Sequence, residues 1–209
     1  MKYKVYAFDF DLTLADTTEI SKETYRLAYA AVGADFTGED VFHHLTRDLS
    51  ATFKEIDDGI RDYDTFLRVF ESESAKRFDM ITLYPDVLET LERIKRGGAK
   101  TALITNRVAP AVESALKKYG GMKKLFDYTV TGDITKNFKP HPEPVLNCLK
   151  AAGVEKKDFV YIGDAYNDYL SAFAANVDFV YVDRHGKVDK TGAITSLSEL
   201  FDPPHVCRG

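Results

Sequence analysis

The sequence predicts an α/β protein: a parallel sheet with helices on both faces, and a small α-helical lobe inserted after the first strand. Short apolar runs of strand length alternate with segments of helical periodicity from Pro85 to Val182. A further apolar run stands alone near the N-terminus, and between it and the rest the strand signal vanishes for roughly 65 residues, which is long enough for a lobe of its own.

The elements follow in order. Val5, Tyr6, Ala7 and Phe8 form an uninterrupted apolar run, as expected of a strand buried on both faces. Ile20, Thr24, Leu27, Ala28 and Ala31 then make one helical stripe before Gly33, and Tyr63, Phe66, Leu67, Phe70 and Ser74 make another. After Pro85, Val87, Leu88, Leu91 and Ile94 mark a helix closed by Gly97 and Gly98, and residues 101–105 read as a buried strand. Val112, Ala115, Leu116 and Tyr119 mark the next helix, and residues 128–131 the next strand. Pro144, Val145, Cys148, Leu149 and Ala152 form a helix ended by Gly153, followed by strands at 159–162 and 179–182 with one more helix between them. This grammar places residues 1–15 and 84–209 in the core domain and 16–83 in a helical cap domain, with hinges near 15–18 and 82–85.

The composition is that of an ordinary globular chain: 209 residues, 44% hydrophobic and 29% charged. A formal charge of -5 argues against nucleic acid or anionic lipid as the main partner, while leaving room for a small anion at one site. With no signal-peptide pattern and no span-length apolar stretch, the expected location is cytoplasmic. The two cysteines, Cys148 and Cys207, lack metal-ligand spacing and are not expected to pair.

Asp9 and Asp11 directly follow the first strand, where ligands bind in open parallel sheets. Two carboxylates in one crevice repel unless a cation joins them or one is protonated, so the pair points to Mg²⁺ or acid chemistry; the competing reading is a solvated acidic turn. Other strand ends reach the same rim. The strand ending at Ile104 delivers Thr105 and Asn106, the loop after Thr131 carries Lys139, and the strand ending at Ile162 delivers Gly163 and Asp164, with Asp168 one helical turn later. Thr105 can donate to a phosphoryl oxygen, Lys139 supplies positive charge, Asp164 offers a hard oxygen ligand, and Asp168 can hold a metal-bound water or the lysine.

On these residues the chain resembles the haloacid dehalogenase-like hydrolase superfamily: Asp9-Phe10-Asp11-Leu12-Thr13 matches its first motif, Thr105 its second, Lys139-Pro140 its third, and the stretch from Gly163 to Asp168 its fourth. The segments around Tyr84-Pro85 and Lys139-Pro140-His141-Pro142 resemble the phosphoglycolate phosphatase-like branch, although Leu12 and Asp86 stand where that branch commonly has glycine. The resemblance implies a Rossmann-like core with a helical cap and a Mg²⁺-dependent phosphatase acting on a small phosphorylated metabolite, as monomer or homodimer. It implies Asp9 as nucleophile, Asp11 as general acid and base, and Thr105, Asn106 and Lys139 as holders of the phosphoryl group. Asp9, Asp11 through its backbone carbonyl, Asp164 and Asp168 would surround the metal.

The aspartate at position 11 argues against dehalogenation, whose leaving group needs no proton. Ser21 stands where beta-phosphoglucomutase-like enzymes carry a hinge histidine, so that phosphotransferase is the alternative rather than the first reading. A non-catalytic phospho-ligand sensor is a third, disfavoured by Asp11 and by the inserted lobe. Arg47 is the expected cap contact to a carboxylate or second phosphate, ahead of His43, His44 and Lys54. Phosphoglycolate, a sugar phosphate, a nucleotide and pyrophosphate all remain open as substrates.

Overall fold

A computed structural model of the chain describes residues 1–38, 41, 44, 49–186 and 192–202. Arg47 and His43 lie outside the described residues. The chain divides into two compact units, Met1–Ala15 with Leu83–Gly209, and Asp16–Thr82.

The strands are β1 (Val5–Phe8), β2 (Ala15–Asp16), β3 (Thr82–Leu83), β4 (Lys100–Ile104), β5 (Tyr128–Val130), β6 (Phe159–Gly163) and β7 (Asp178–Tyr181). The main sheet has the order β5-β4-β1-β6-β7, parallel at each pairing. β1 is central, which is why its sequence is apolar at every position rather than alternating. Val5 and Ala7 share one face with Ile104, Val130, Phe159 and Tyr161, and there they meet Val145 and Cys148. Burial pushes the Cys148 thiol up to about 12, making it an inert core residue. Strand boundaries differ from the expected ones by a residue or so. Thr105 falls just past β4, yet its N–H still donates to Val130 O at 2.9 Å, prolonging the ladder.

In the second unit, α1 (Thr18–Ala31), α2 (Leu49–Lys54) and α3 (Tyr63–Ala75) gather Tyr25, Ala28, Tyr29, Phe53 and Phe66 into an aromatic core. Asp62 caps α3 by accepting from the N–H groups of Asp64 and Thr65, both at 3.2 Å. His44 belongs to this core, its Nε2 lying 2.8 Å from the Tyr29 hydroxyl. Burial, with some help from Glu55, pushes that phenol up to about 12.

The first unit continues with α4 (Val87–Arg96), α5 (Ala109–Leu116), α6 (Met122–Leu125), α7 (Glu143–Ala152) and α8 (Tyr166–Ala175), which supply the crossovers a parallel sheet needs. Among the described residues no helix is long and apolar enough to cross a membrane.

Asp86, just before α4, ties distant parts of this unit together. Its Oδ2 accepts from Arg184 Nη1 at 2.7 Å, Ser196 Oγ at 2.7 Å and Leu197 N at 2.8 Å. Arg184 in turn donates to Thr13 O, from Nη2 at 2.9 Å. Burial alone would raise the Asp86 pKa, but Arg184, Ser196 and Leu197 outweigh it and hold the carboxyl below its usual value. A carboxyl depressed in the folded state contributes stability above its unfolded pKa and loses it as the pH falls through the folded value. Asp86→Asn should therefore cost about 1.5–3 kcal/mol at neutral pH, the range of a charged hydrogen bond. The gap to the unsubstituted protein should begin to narrow in denaturation curves as the pH falls below about 3.9, where the unfolded aspartate takes up its proton, and close only below the folded value.

Candidate active site at the carboxyl edge of the sheet

Because β1 is flanked by β4 and β6, the first residue beyond it emerges between two other strand ends. Asp9 is that residue; its N–H donates to Ile162 O at 2.9 Å, and its side chain is almost fully buried. The chain then turns sharply, with Ala15 N donating to Phe10 O at 2.9 Å and Leu12 N to Ala15 O at 2.8 Å. This turn puts Leu12 at φ +53°, the left-handed region that favours glycine. Leu12 is nevertheless buried, and its packing offsets a strain of about 1–2 kcal/mol.

Lys139 is the centre of the site. Its ammonium donates to Asp9 Oδ1 at 2.5 Å, Asp168 Oδ1 at 2.6 Å and the Tyr161 hydroxyl at 3.1 Å, using the three N–H groups a lysine has. Burial would lower its pKa, but the charges of Asp168 and Asp9 outweigh that and raise it. Asp168 is fully enclosed; Oδ1 also accepts from Tyr161 at 2.9 Å, and Oδ2 from Ala165 N at 3.1 Å. The close approach needs Gly163, because a Cβ there would lie 2.6 Å from Asp168 Oδ2. Asn106 clamps the lysine's own peptide: Oδ1 accepts from Lys139 N at 3.0 Å and Nδ2 donates to Lys139 O at 3.4 Å. Expected as a phosphoryl contact, it is thus engaged in holding Lys139 in place.

Thr105 is buried, and its hydroxyl oxygen accepts from Arg107 N at 3.1 Å, a bond that does not use the hydroxyl proton. The loop after β5 packs against this turn, with Gly132 N donating to Arg107 O at 2.8 Å, and a Cβ at Gly132 would lie only 2.3 Å from Asn106 O. Asp164 is half-buried and its Oδ1 accepts from Thr13 Oγ1 at 3.0 Å.

Asp9, Asp164 and Asp168 bring a carboxylate oxygen each within 4.8 Å of one another. Burial, then the charge of Asp168, pushes Asp9 up to about 7 against the pull of Lys139. Burial, with the charges of Asp9 and Asp168, likewise raises Asp164. Hard oxygen donors whose ionisation is opposed by mutual repulsion fit a divalent cation, which would relieve that opposition.

Two contacts at the site escape sequence reasoning. Tyr161 reads as one more core aromatic of β6, yet its hydroxyl reaches Lys139 and Asp168. Arg107 grips Asp11 in a fork, Nε to Oδ2 at 2.7 Å and Nη2 to Oδ1 at 2.6 Å. Its only signal in sequence is its place two residues beyond Thr105, on the same rim.

A family model described as haloacid dehalogenase-like hydrolase matches residues 6–182. The chain is 32% identical over 171 residues to the pyrophosphatase PpaX of Bacillus pumilus, covering 80% of this chain and 77% of the relative. A candidate haloacid dehalogenase-like hydrolase from Bacteroides fragilis superposes with a TM-score of 0.86 at 27% identity, covering 96% of this chain and 100% of the other. A candidate phosphoglycolate phosphatase from Lactobacillus plantarum superposes at 0.78 with 26% identity, covering 87% and 86%.

With Lys139 removed, Asp9 and Asp168 would face each other uncompensated. Lys139→Met should therefore lose about 3–5 kcal/mol of stability, the usual result of stranding a buried charge. Adding Asp168→Asn should restore part of it, which chemical denaturation in metal-free buffer will read.

Proposed function

Because the chain belongs to the haloacid dehalogenase-like hydrolases, in their phosphoglycolate phosphatase-like branch, and is a phosphate-ester hydrolase, we propose that it is a Mg²⁺-dependent phosphatase working through an aspartyl-phosphate on Asp9. The observation that carries this reading is the buried contact of Asp9 with Lys139, two residues before a second carboxylate and next to the strand that leads to the buried Thr105.

Asp9 Oδ attacks phosphorus while the bond to the leaving oxygen breaks and Asp11 gives that oxygen a proton. Water then attacks the phosphoenzyme, Asp11 takes its proton, and Asp9 is released with inorganic phosphate. Thr105 donates its hydroxyl to a phosphoryl oxygen. Lys139, already against Asp9, turns to the phosphoryl group as Asp9 Oδ becomes bonded to phosphorus, so positive charge stays where negative charge gathers. Asp168 and Tyr161 hold that ammonium in place. Asp9 and Asp164 would hold Mg²⁺, with Asp11 contributing its backbone carbonyl and Asp168 lying beside them; the ion supplies the charge that lets carboxylate and phosphate approach.

The substrate is a small phosphorylated metabolite. The relatives named pyrophosphatase and phosphoglycolate phosphatase both carry names of substrates whose leaving group is itself an anion, and this property is proposed here too. Selection of that metabolite by the helical unit, Arg47 included, is part of the same proposal.

Asp9→Asn should abolish both steady phosphate release and the acid-stable phosphoenzyme seen by intact mass. Asp11→Asn should lower kcat on an alkyl phosphate by about 100-fold or more, the usual worth of a general acid. The loss should be much smaller on p-nitrophenyl phosphate, whose leaving group needs no proton. Excess EDTA should stop turnover and Mg²⁺ restore it; steady turnover by Asp9→Asn or full activity in EDTA would overturn the scheme. A sensor would give no steady phosphate release, and a phosphotransferase would give a phosphorylated sugar faster than inorganic phosphate.

A further inference from the structure

Of the three carboxylates that gather at the sheet edge, Asp164 is held most lightly. Asp9 and Asp168 both lie against the Lys139 ammonium, and Asp168 accepts from Tyr161 and Ala165 N as well. The Asp164 carboxyl, among the described residues, accepts one hydrogen bond, from Thr13 Oγ1 to Oδ1 at 3.0 Å. Its orientation therefore depends on where Thr13 is kept. Thr13 is fully buried, and its carbonyl oxygen accepts from both Nη2 and Nε of Arg184, at 2.9 Å and 3.3 Å. The Arg184 side chain is only 6% exposed, and its other arm, Nη1, donates to Asp86 Oδ2 at 2.7 Å. That oxygen is fixed in turn by Ser196 Oγ and Leu197 N, and the guanidinium lies 4.4 Å from the centre of the Tyr84 ring. One guanidinium thus bridges an anchored carboxylate and the turn that carries Asp9 and Asp11.

We propose that Arg184 is a positioning residue for the Mg²⁺ site: it pins the Thr13 carbonyl, and the Thr13 hydroxyl then sets the rotation of the Asp164 carboxylate. This rests on the Mg²⁺-dependent phosphatase reading above. The turn needs such an external hold, because Thr13 follows Leu12, whose left-handed backbone is strained and would relax if the turn were free. A positive charge two hydrogen bonds from a cation site would by itself oppose the cation. Asp86 offsets that charge, which leaves the pair a task of geometry rather than of field. A carboxylate already turned to the ion loses no freedom on binding it, so the arginine acts by pre-ordering a ligand that it never touches. By this route the segment at Ser196 and Leu197, remote in sequence from the sheet edge, supports the metal site.

The test is titration calorimetry with MgCl₂ alone, at a temperature where circular dichroism shows each protein folded. Arg184→Met should raise the Mg²⁺ Kd by about tenfold or more, the usual result of removing a partner that orients a metal ligand. Thr13→Val, which keeps the carbonyl and removes the hydroxyl, should raise it as well. In the double variant Arg184→Met should add little to Thr13→Val, since the arginine acts through that hydroxyl. Arg184→Lys keeps the charge beside Asp86 without the fixed fork, and carries the same comparison should Arg184→Met fold poorly; its Kd should rise in the same direction by less. A merely structural arginine would lower Tm and leave the Kd of the folded protein unchanged. That outcome, or full additivity in the double variant, overturns the proposal while leaving the Mg²⁺-dependent reading standing. If the unsubstituted protein takes up no Mg²⁺, that reading fails and the proposal with it.

Discussion

Around the ammonium of Lys139, two carboxylates and a phenol converge in a space closed to solvent, and the rest of the site can be derived from the need to keep them there. Like charges of this kind separate unless a cation lies between them, and a lysine can serve only if its own backbone is fixed. Asn106 fixes it from one strand end, and Gly163 leaves the hollow in which Asp168 lies. With the lysine in place Asp9 is still raised to about 7, first by burial and then by the charge of Asp168. A divalent cation among Asp9, Asp164 and Asp168 would favour their charged forms against both effects.

Much of this was legible in the chain. A strand buried on both faces must be apolar at every position, so the run from Val5 to Phe8 announces a central strand and gives the polar residues that follow their meaning. The same logic locates Thr105 and Asp164 on one rim, because parallel strands share an end. What the pattern does not carry is the direction of side chains across the rim. Tyr161 sits among apolar neighbours, so periodicity assigns it to packing, while its hydroxyl at the far end of the ring does the polar work. Arg107 resembles any surface arginine until the turn after β4 brings it to Asp11.

The two positions where the resemblance leads one to expect glycine, 12 and 86, differ in physical kind. Leu12 occupies a left-handed backbone conformation, so glycine there would answer a steric demand that this chain meets with packing instead. Asp86 has φ -83°, which any residue adopts, so no such demand exists. The side chain there is free to take on a task, and it joins α4 to Arg184 and to the segment at Ser196 and Leu197. Through Arg184 and Thr13 this link runs on to Asp164, connecting the late part of the sequence with the site.

The strand order also governs when the site can come into being. Asp9 is made first on the ribosome, but the strands that flank it, β4 and β6, come from beyond residue 99 and beyond residue 158. Lys139, Asp164 and Asp168 are likewise late. A nascent chain therefore carries Asp9 long before Lys139 and the other charges that surround it, and the contacts that assemble the site are among those of greatest sequence separation in the fold. Such contacts form late and cooperatively, because loop closure is lost entropy until the whole sheet rewards it. The carboxyl-edge cluster is thus complete only with the central sheet, and a chain that ends before β6 lacks both Asp164 and Asp168.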